Sequence, residues 1–80
     1  VVPFQIHDLK TEAPYFQAVF DGIKTFEIRK NDRNFNLYDY LRLIEIENGK
    51  PTGRSCLKSI TYILDDARFL PPGFVCMSIQ

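Results

Sequence analysis

The sequence predicts an α+β domain, a small β-pseudo-barrel of about five strands with one early packing helix. Three observations carry that expectation. Most of the chain is alternating or β-branched, in runs separated by Gly, Pro and Asn turns. One early stretch instead repeats apolar residues at helical spacing. The 80 residues suffice for a single domain over 1–80 and leave no room for a separate catalytic domain. A sheet closed on itself would also spare so short a chain its exposed edges.

Val2 to His7 alternates loosely and reads as the first strand, ending at Asp8-Leu9-Lys10. Thr11 is placed to cap a helix, and Pro14 fits its first turn, where backbone N–H groups have no intrahelical partner. Tyr15, Phe16, Val19, Phe20 and Ile23 form one apolar stripe, read as core, opposite Gln17, Ala18 and Asp21. Gly22 is the expected C′ residue. Thr25, Phe26 and Ile28 then favour an extended chain, in which Phe26 and Ile28 are expected to face the core. Thr25, Glu27 and Arg29 share the opposite face, with Lys24 at the strand's entrance. The strand ends near Lys30, and Asn31 to Asn36 is a loop of turn-forming residues.

Asp39 to Glu47 opposes Leu41 and Leu43 to Tyr40, Arg42, Ile44 and Ile46, so both faces are partly apolar, as in a barrel strand whose burial changes face. Asn48 to Gly53 opens with Asn-Gly and is a hairpin connection between antiparallel neighbours. Arg54 to Leu64 is a long strand, Asp65 to Pro72 a loop, and Gly73 to Ile79 the closing strand.

A composition of 45% hydrophobic and 25% charged residues argues against disorder. Ten basic and ten acidic side chains cancel, which argues against indiscriminate binding to polyanions. Charge is uneven locally: between Lys24 and Arg33, the cations Lys24, Arg29, Lys30 and Arg33 face only Glu27 and Asp32. Cys56 and Cys76 are too few for a disulfide scaffold and are expected to be buried free thiols in a reducing cytoplasm. With His7 the sole histidine and no C-x-x-C spacing, no metal or other cofactor is expected. No apolar run approaches the roughly 20 residues that span a bilayer, so no membrane partner is expected and the localisation is read as cytoplasmic. The start at Val1 fits a tag scar, a processed start or an excised fragment.

RNA recognition needs fixed cations for phosphates, amide or carboxylate groups for base edges, and an aromatic face for an unstacked base. The chain supplies all three. Lys24, Arg29, Lys30 and Arg33 are candidates for phosphates, Asn31 and Asp32 for a base edge, and Tyr15, Tyr38 or Tyr40 for stacking. His7, ending the first strand, is a candidate base-edge donor or general base, or a structural histidine. The plainer alternative for Lys24 to Arg33 is a solvated strand face with local ion pairs. An enzyme would use Lys24 with Glu27 as a proton-transfer pair. A third class is a protein-interaction module presenting Phe69-Leu70-Pro71-Pro72-Gly73-Phe74, a segment otherwise expected to be buried against the helix. No Ser-His-Asp logic or glycine-rich phosphate loop is visible.

The spacing Gly22-x-Lys24-x-x-Glu27-x-Arg29 resembles the G-x-K-x-x-E-x-R signature of ASCH domains, a PUA-like superfamily of small β-barrel proteins associated with RNA. Further segments, His7 to Lys10, Pro14 to Phe16, Lys24 to Arg33, Thr52 to Arg54, Ile60 to Ile63 and Pro72 to Val75, resemble the DUF3850 family, a bacterial and phage ASCH-like group. The resemblance implies the same pseudo-barrel and a ligand cleft beside the first helix, near Lys24, Glu27 and Arg29. It implies RNA or a modified nucleoside as partner, and it permits amidohydrolase or ribonuclease activity. The amidohydrolase type uses a lysine, a threonine and a glutamate; Lys24 matches the lysine, but Glu27 stands where the threonine is expected. Such families also carry a V-G-D turn, where this chain has Leu37-Tyr38-Asp39. Tyrosine adopts positive φ only at a cost, so this turn is expected to be other than left-handed or locally altered.

Overall fold

Strand β1 (Ile6–Glu12) runs straight into helix α1 (Ala13–Phe20), followed by β2 (Phe26–Lys30), β3 (Tyr40–Glu47), β4 (Lys50–Leu64) and β5 (Phe74–Ile79) in the computed structural model, which describes residues 4–80. The strands form one mixed sheet in the order β1-β3-β4-β5-β2. β1 and β3 are parallel, and every other pair is antiparallel. The expected class holds: α+β, strands dominating, one early helix. β4 is 15 residues long and serves two partners in turn, β3 along its first part and β5 along its last. The sheet thereby curls into a barrel-like shape, and its two edge strands, β1 and β2, come within side-chain reach of each other.

Inward residues alternate as a half-buried sheet requires. Leu9 from β1, Leu41 and Leu43 from β3, Ile60 from β4 and Val75, Met77 and Ile79 from β5 meet Phe16 and Val19 of α1 and Phe35 of the β2–β3 loop. Gly22 ends the helix as expected. At φ +76° it donates to Val19 O, and Ile23 donates to Ala18 O, the paired bonds of a Schellman motif.

Several boundaries differ from the sequence reading. β1 runs from Ile6 through Glu12, not to His7, because its inward residues His7, Leu9 and Thr11 continue a single alternation. Val2 lies outside the described residues. Glu12, not Thr11, is the N-cap and makes no side-chain cap bond; Thr11 is buried in β1. Only Phe16 and Val19 of the expected helical stripe are buried; Tyr15, Phe20 and Ile23 are exposed. An eight-residue helix lying on a small sheet has contact for about one side chain per turn.

The largest correction concerns β2. Phe26 and Ile28 point outward, and the buried residue is Glu27, 3% exposed. The barrel interior at this end is ionic, so its apolar neighbours take the outside. The hairpin turn is also tighter than expected: Asn48 at φ +53° and Gly49 at φ +77° form a two-residue type I′ turn, and Glu47 already pairs with Lys50. Pro51 lies within β4 where β3 is its only neighbour, so its missing N–H is tolerated. Tyr38 does adopt positive φ, +70°, so the turn is left-handed without a glycine. Both cysteines are free but half-buried. Phe69 is 70% exposed rather than packed on the helix. Among the described residues no helix is long and apolar enough to cross a membrane.

Candidate functional site

The β1–β2 seam carries the site, and the backbone pattern of its two strands explains why. Tyr40 N–H donates to Gln5 O, so Gln5, His7, Leu9 and Thr11 address β3, and Asp8, Lys10 and Glu12 turn their amides to the seam. On β2, Ile79 N–H donates to Thr25 O and Asn31 N–H donates to Gly73 O. Phe26, Ile28 and Lys30 therefore present their amides to the same seam from the other side.

Cationic side chains satisfy these free carbonyls. Arg29 Nη2 donates to Lys10 O at 2.9 Å and to Thr11 Oγ1 at 3.2 Å. Lys24 Nζ donates to Phe26 O at 2.6 Å, and Arg33 Nη1 donates to Asp8 O. Glu27 anchors two of the three: its Oε1 accepts from Lys24 Nζ at 2.8 Å and its Oε2 from Arg29 Nε at 2.9 Å. A buried carboxylate is costly alone and becomes tolerable with both oxygens charge-paired.

Side-chain closure leaves space. A cleft of about 360 Å³ opens here, its floor made by Thr11, Lys24, Glu27 and Arg29 and its rim by Lys10, Glu12, Tyr15, Phe26 and Ile28. That volume lies in the range of small-ligand pockets, about 300–1,000 Å³. Lys24 Nζ also sits 4.7 Å from the centre of the Phe26 ring. The outward turn of β2 has thus placed two apolar side chains beside an ionic floor.

Lys24, Glu27 and Arg29 meet in one cluster and Tyr15, one of the stacking candidates, lines the rim, while the other residues proposed from sequence for ligand contact do not line the cleft. Asn31 Oδ1 accepts from Phe35 N–H within its own loop. Asp32 and Arg33 form an exposed ion pair at 3.6 Å. Lys30 is exposed at the end of β2, and Tyr38 and Tyr40 lie outside the lining. His7 is away from the cleft as well: its Nε2 lies 2.9 Å from Asp39 Oδ2, and its ring packs edge-on against Phe35, 4.9 Å between centres. Burial pushes the Asp39 carboxyl up, but hydrogen bonds from His7, Gln5 and Asn36 outweigh it and hold its pKa below the usual value. This pair fixes the β2–β3 loop.

Sequence reading missed Lys10, Thr11, Glu12, Phe26 and Ile28 as cleft residues. It also missed a second ionic cluster, in which Arg54 donates to both oxygens of Glu45, at 3.0 and 2.8 Å, and to Gln17 Oε1 at 2.6 Å. The Arg54 hydrogen bonds, with one from Thr52 Oγ1 at 2.5 Å, hold the Glu45 pKa down at about 2. The Arg54 guanidinium lies over the rings of Phe16 and Phe20, 5.0 and 5.3 Å from their centres, and so ties the β3–β4 hairpin to α1.

Fold and site together define a small α+β domain whose barrel-like sheet is closed by arginine hydrogen bonds at a seam that leaves a ligand-sized cleft. The chain belongs to the DUF3850 family: the model of that family, a domain of unknown function, matches residues 6–79. It is 43% identical over 61 residues to an uncharacterised 12.9 kDa protein in the GpA 3′ region of Escherichia phage P2. The match covers 76% of this chain and 56% of the phage protein, so the chain spans little more than half of that relative's length.

Proposed function

We propose that this is an ASCH/PUA-like domain that binds RNA or a modified nucleoside, with the base held in the seam cleft. The observation that carries the reading is the placement of Tyr15 and Phe26 on the rim above the Lys24–Glu27–Arg29 floor. A flat heterocycle gains from an aromatic wall and from a few fixed polar groups. Tyr15, 56% exposed, supplies a ring face. Thr11 and Glu27 supply acceptors on the cleft floor, and the seam-facing N–H groups of Ile28 and Lys10 and the Ile28 carbonyl add donors and an acceptor that a base edge can match.

Binding ranks above catalysis in this reading. Lys24 Nζ is engaged as a donor to two acceptors, and Glu27 accepts from two cations. A nucleophilic amine or a general base would have to break those bonds first. Of the cations on β1 and β2 and in their flanking segments, those free for phosphate are Lys10 and Lys30, which have no ion-pair partner among the described residues. Arg29 and Arg33 are tied into the seam. Two phosphate contacts give a log–log salt slope of about −1.4 on a single strand, shallower than the −2 to −3 or so expected if three or four of the cations near Lys24 to Arg33 were free.

The test is a titration of the ¹⁵N-labelled domain with the four ribonucleoside 5′-monophosphates and with a randomised RNA decamer at low salt. The expected result is saturable shifts concentrated at Lys10 to Glu12, Tyr15 and Lys24 to Arg29, weakened on Tyr15→Ala. Absence of saturable binding, or shifts confined to another surface, overturns the reading.

A further inference from the structure

Phe26 belongs to two surfaces. It lines the seam cleft, and at 44% exposure it also begins a row across the outer face of β2, β5 and β4, where Phe26 pairs with Ser78 and Ser78 with Tyr62. Tyr62 is 61% exposed. Neighbouring strands lie about 4.8 Å apart, so the two ring-bearing positions are separated by roughly 10 Å across the small Ser78. That trough is wide enough for one flat ring system. Its floor is polar, because the β4 irregularity between Ile60 and Tyr62 brings the Thr61 and Ser78 hydroxyls within 2.7 Å.

The charges beside this row favour an anion. The following rows are Ile28–Cys76–Leu64 and Lys30–Phe74, so these three strands place no carboxylate on the outward face. Lys24 sits over the Phe26 ring at one end, and Lys30 is exposed at the other.

The opposite way out of the cleft has the reverse character. Glu12 and Tyr15 also line a second groove, of about 340 Å³, which continues to Ile46, Glu47 and Asn48. A phosphodiester chain leaving that way would pass Glu12 and Glu47. One leaving past Phe26 crosses two rings on strands that carry no outward carboxylate, with Lys30 the cation of the same face unpaired among the described residues.

We propose that the outer face of β2, β5 and β4 is a second nucleobase-stacking subsite, continuous with the cleft through Phe26, that takes the next nucleotide of a single RNA strand. The inference rests on the nucleic-acid reading above and adds to it a length requirement and a direction. Stacking on Tyr62 is tolerant of sequence, because every base presents a π-face. Specificity then resides in the cleft and reach in the sheet.

The experiment compares the wild-type domain, Tyr62→Ala and Tyr62→Phe against two probes, the four ribonucleoside 5′-monophosphates and a fluorescein-labelled RNA decamer of randomised sequence. The expected result is that Tyr62→Ala weakens the decamer about 5- to 150-fold, leaves the mononucleotides unchanged, and is rescued by Tyr62→Phe. A decamer that binds wild type and Tyr62→Ala equally overturns the sheet subsite and leaves the cleft reading standing. Failure of both probes to bind wild type overturns the cleft reading and the subsite with it. Sedimentation of the unliganded proteins covers the other occupant: a wild-type dimer split by Tyr62→Ala would assign this face to a second copy of the chain and overturn the proposal.

Discussion

The β3–β4 wall and the β1–β2 seam close the same barrel by opposite means. On the wall, the Asn48-Gly49 turn sets the register and a backbone ladder runs from Glu47–Lys50 to Tyr40–Ser59, with Leu41 and Leu43 fully buried on its inner face. At the seam, Arg29 and Arg33 reach across to backbone carbonyls of β1, Lys24 caps the Phe26 carbonyl on the β2 side, and Glu27 holds Lys24 and Arg29. A ladder satisfies each amide locally and brings strands to about 4.8 Å. Side chains satisfy the same groups from further away and leave a cleft. The joint closed by side chains is therefore the one able to admit a ligand.

Stability should divide along the same line. Leu43→Ala removes a fully buried side chain from the wall, with an expected loss of about 3–5 kcal/mol in urea unfolding. For a domain this small that is a large part of its total stability. Glu27→Gln at the seam keeps the shape and removes the charge, leaving Lys24 and Arg29 without their shared partner. Those side chains retain 18% and 27% exposure, so water takes over part of the interaction and the expected loss is about 1–3 kcal/mol. A cost at Glu27 equal to that at Leu43 would mean that the seam is held as tightly as the wall.

Acid separates the regions further, because the wall has a carboxylate of its own. The Glu45 pKa is held down at about 2, first by Arg54 and then by Thr52, and that of Asp39 also lies below its usual value. In both cases the unfolded chain takes up a proton more readily than the folded one, so folding is favoured above the unfolded pKa and loses support as pH falls towards the folded value. For Glu45 the window runs from its ordinary 4.5 down to about 2. Urea midpoints of the wild type should fall across that window. Arg54→Met, which removes the main cause, should flatten the fall. An undiminished fall would locate the acid lability at Asp39 or Asp66, whose carboxyls also lie below their usual values.

What the sequence revealed follows the same division. Asn-Gly at Asn48 and Gly49 and the Leu41/Leu43 alternation made the wall legible, because turn chemistry and a period of two are local signals. Gly22 was legible for the same reason. At the seam, Gly22-x-Lys24-x-x-Glu27-x-Arg29 identified the right ionic residues while apolarity assigned Phe26 and Ile28 to the wrong face. Which side of an edge strand is interior depends on whether a distant strand supplies the partners for its charges. Lys10 and Thr11 of β1 do so here, and nothing within β2 announces them. For His7 the sequence left a cleft role and a structural role both open, and its structural partner Asp39, 32 residues away, is equally silent in the local pattern.

The smallest expected effect lies at Tyr38, where the wall begins. Its φ of +70° is a left-handed conformation that costs a non-glycine residue about 1–2 kcal/mol. Its N–H donates to Ile60 O at 2.8 Å, which fixes the turn. Its ring is 57% exposed and meets Phe4 edge-on at 6.4 Å between centres, a contact too exposed to offset the whole strain. Tyr38→Gly relieves the strain but gives back roughly 0.5–1 kcal/mol in unfolded-chain entropy. The net expectation is a gain of about 0.5 kcal/mol in urea unfolding. Gly22→Ala, at φ +76° before the seam with open space around its Cα, should instead lose about 1 kcal/mol. Opposite signs at the two positions would show that backbone strain governs both turns, whereas a loss at Tyr38→Gly would mean that the Tyr38–Phe4 contact outweighs the strain at the head of the wall.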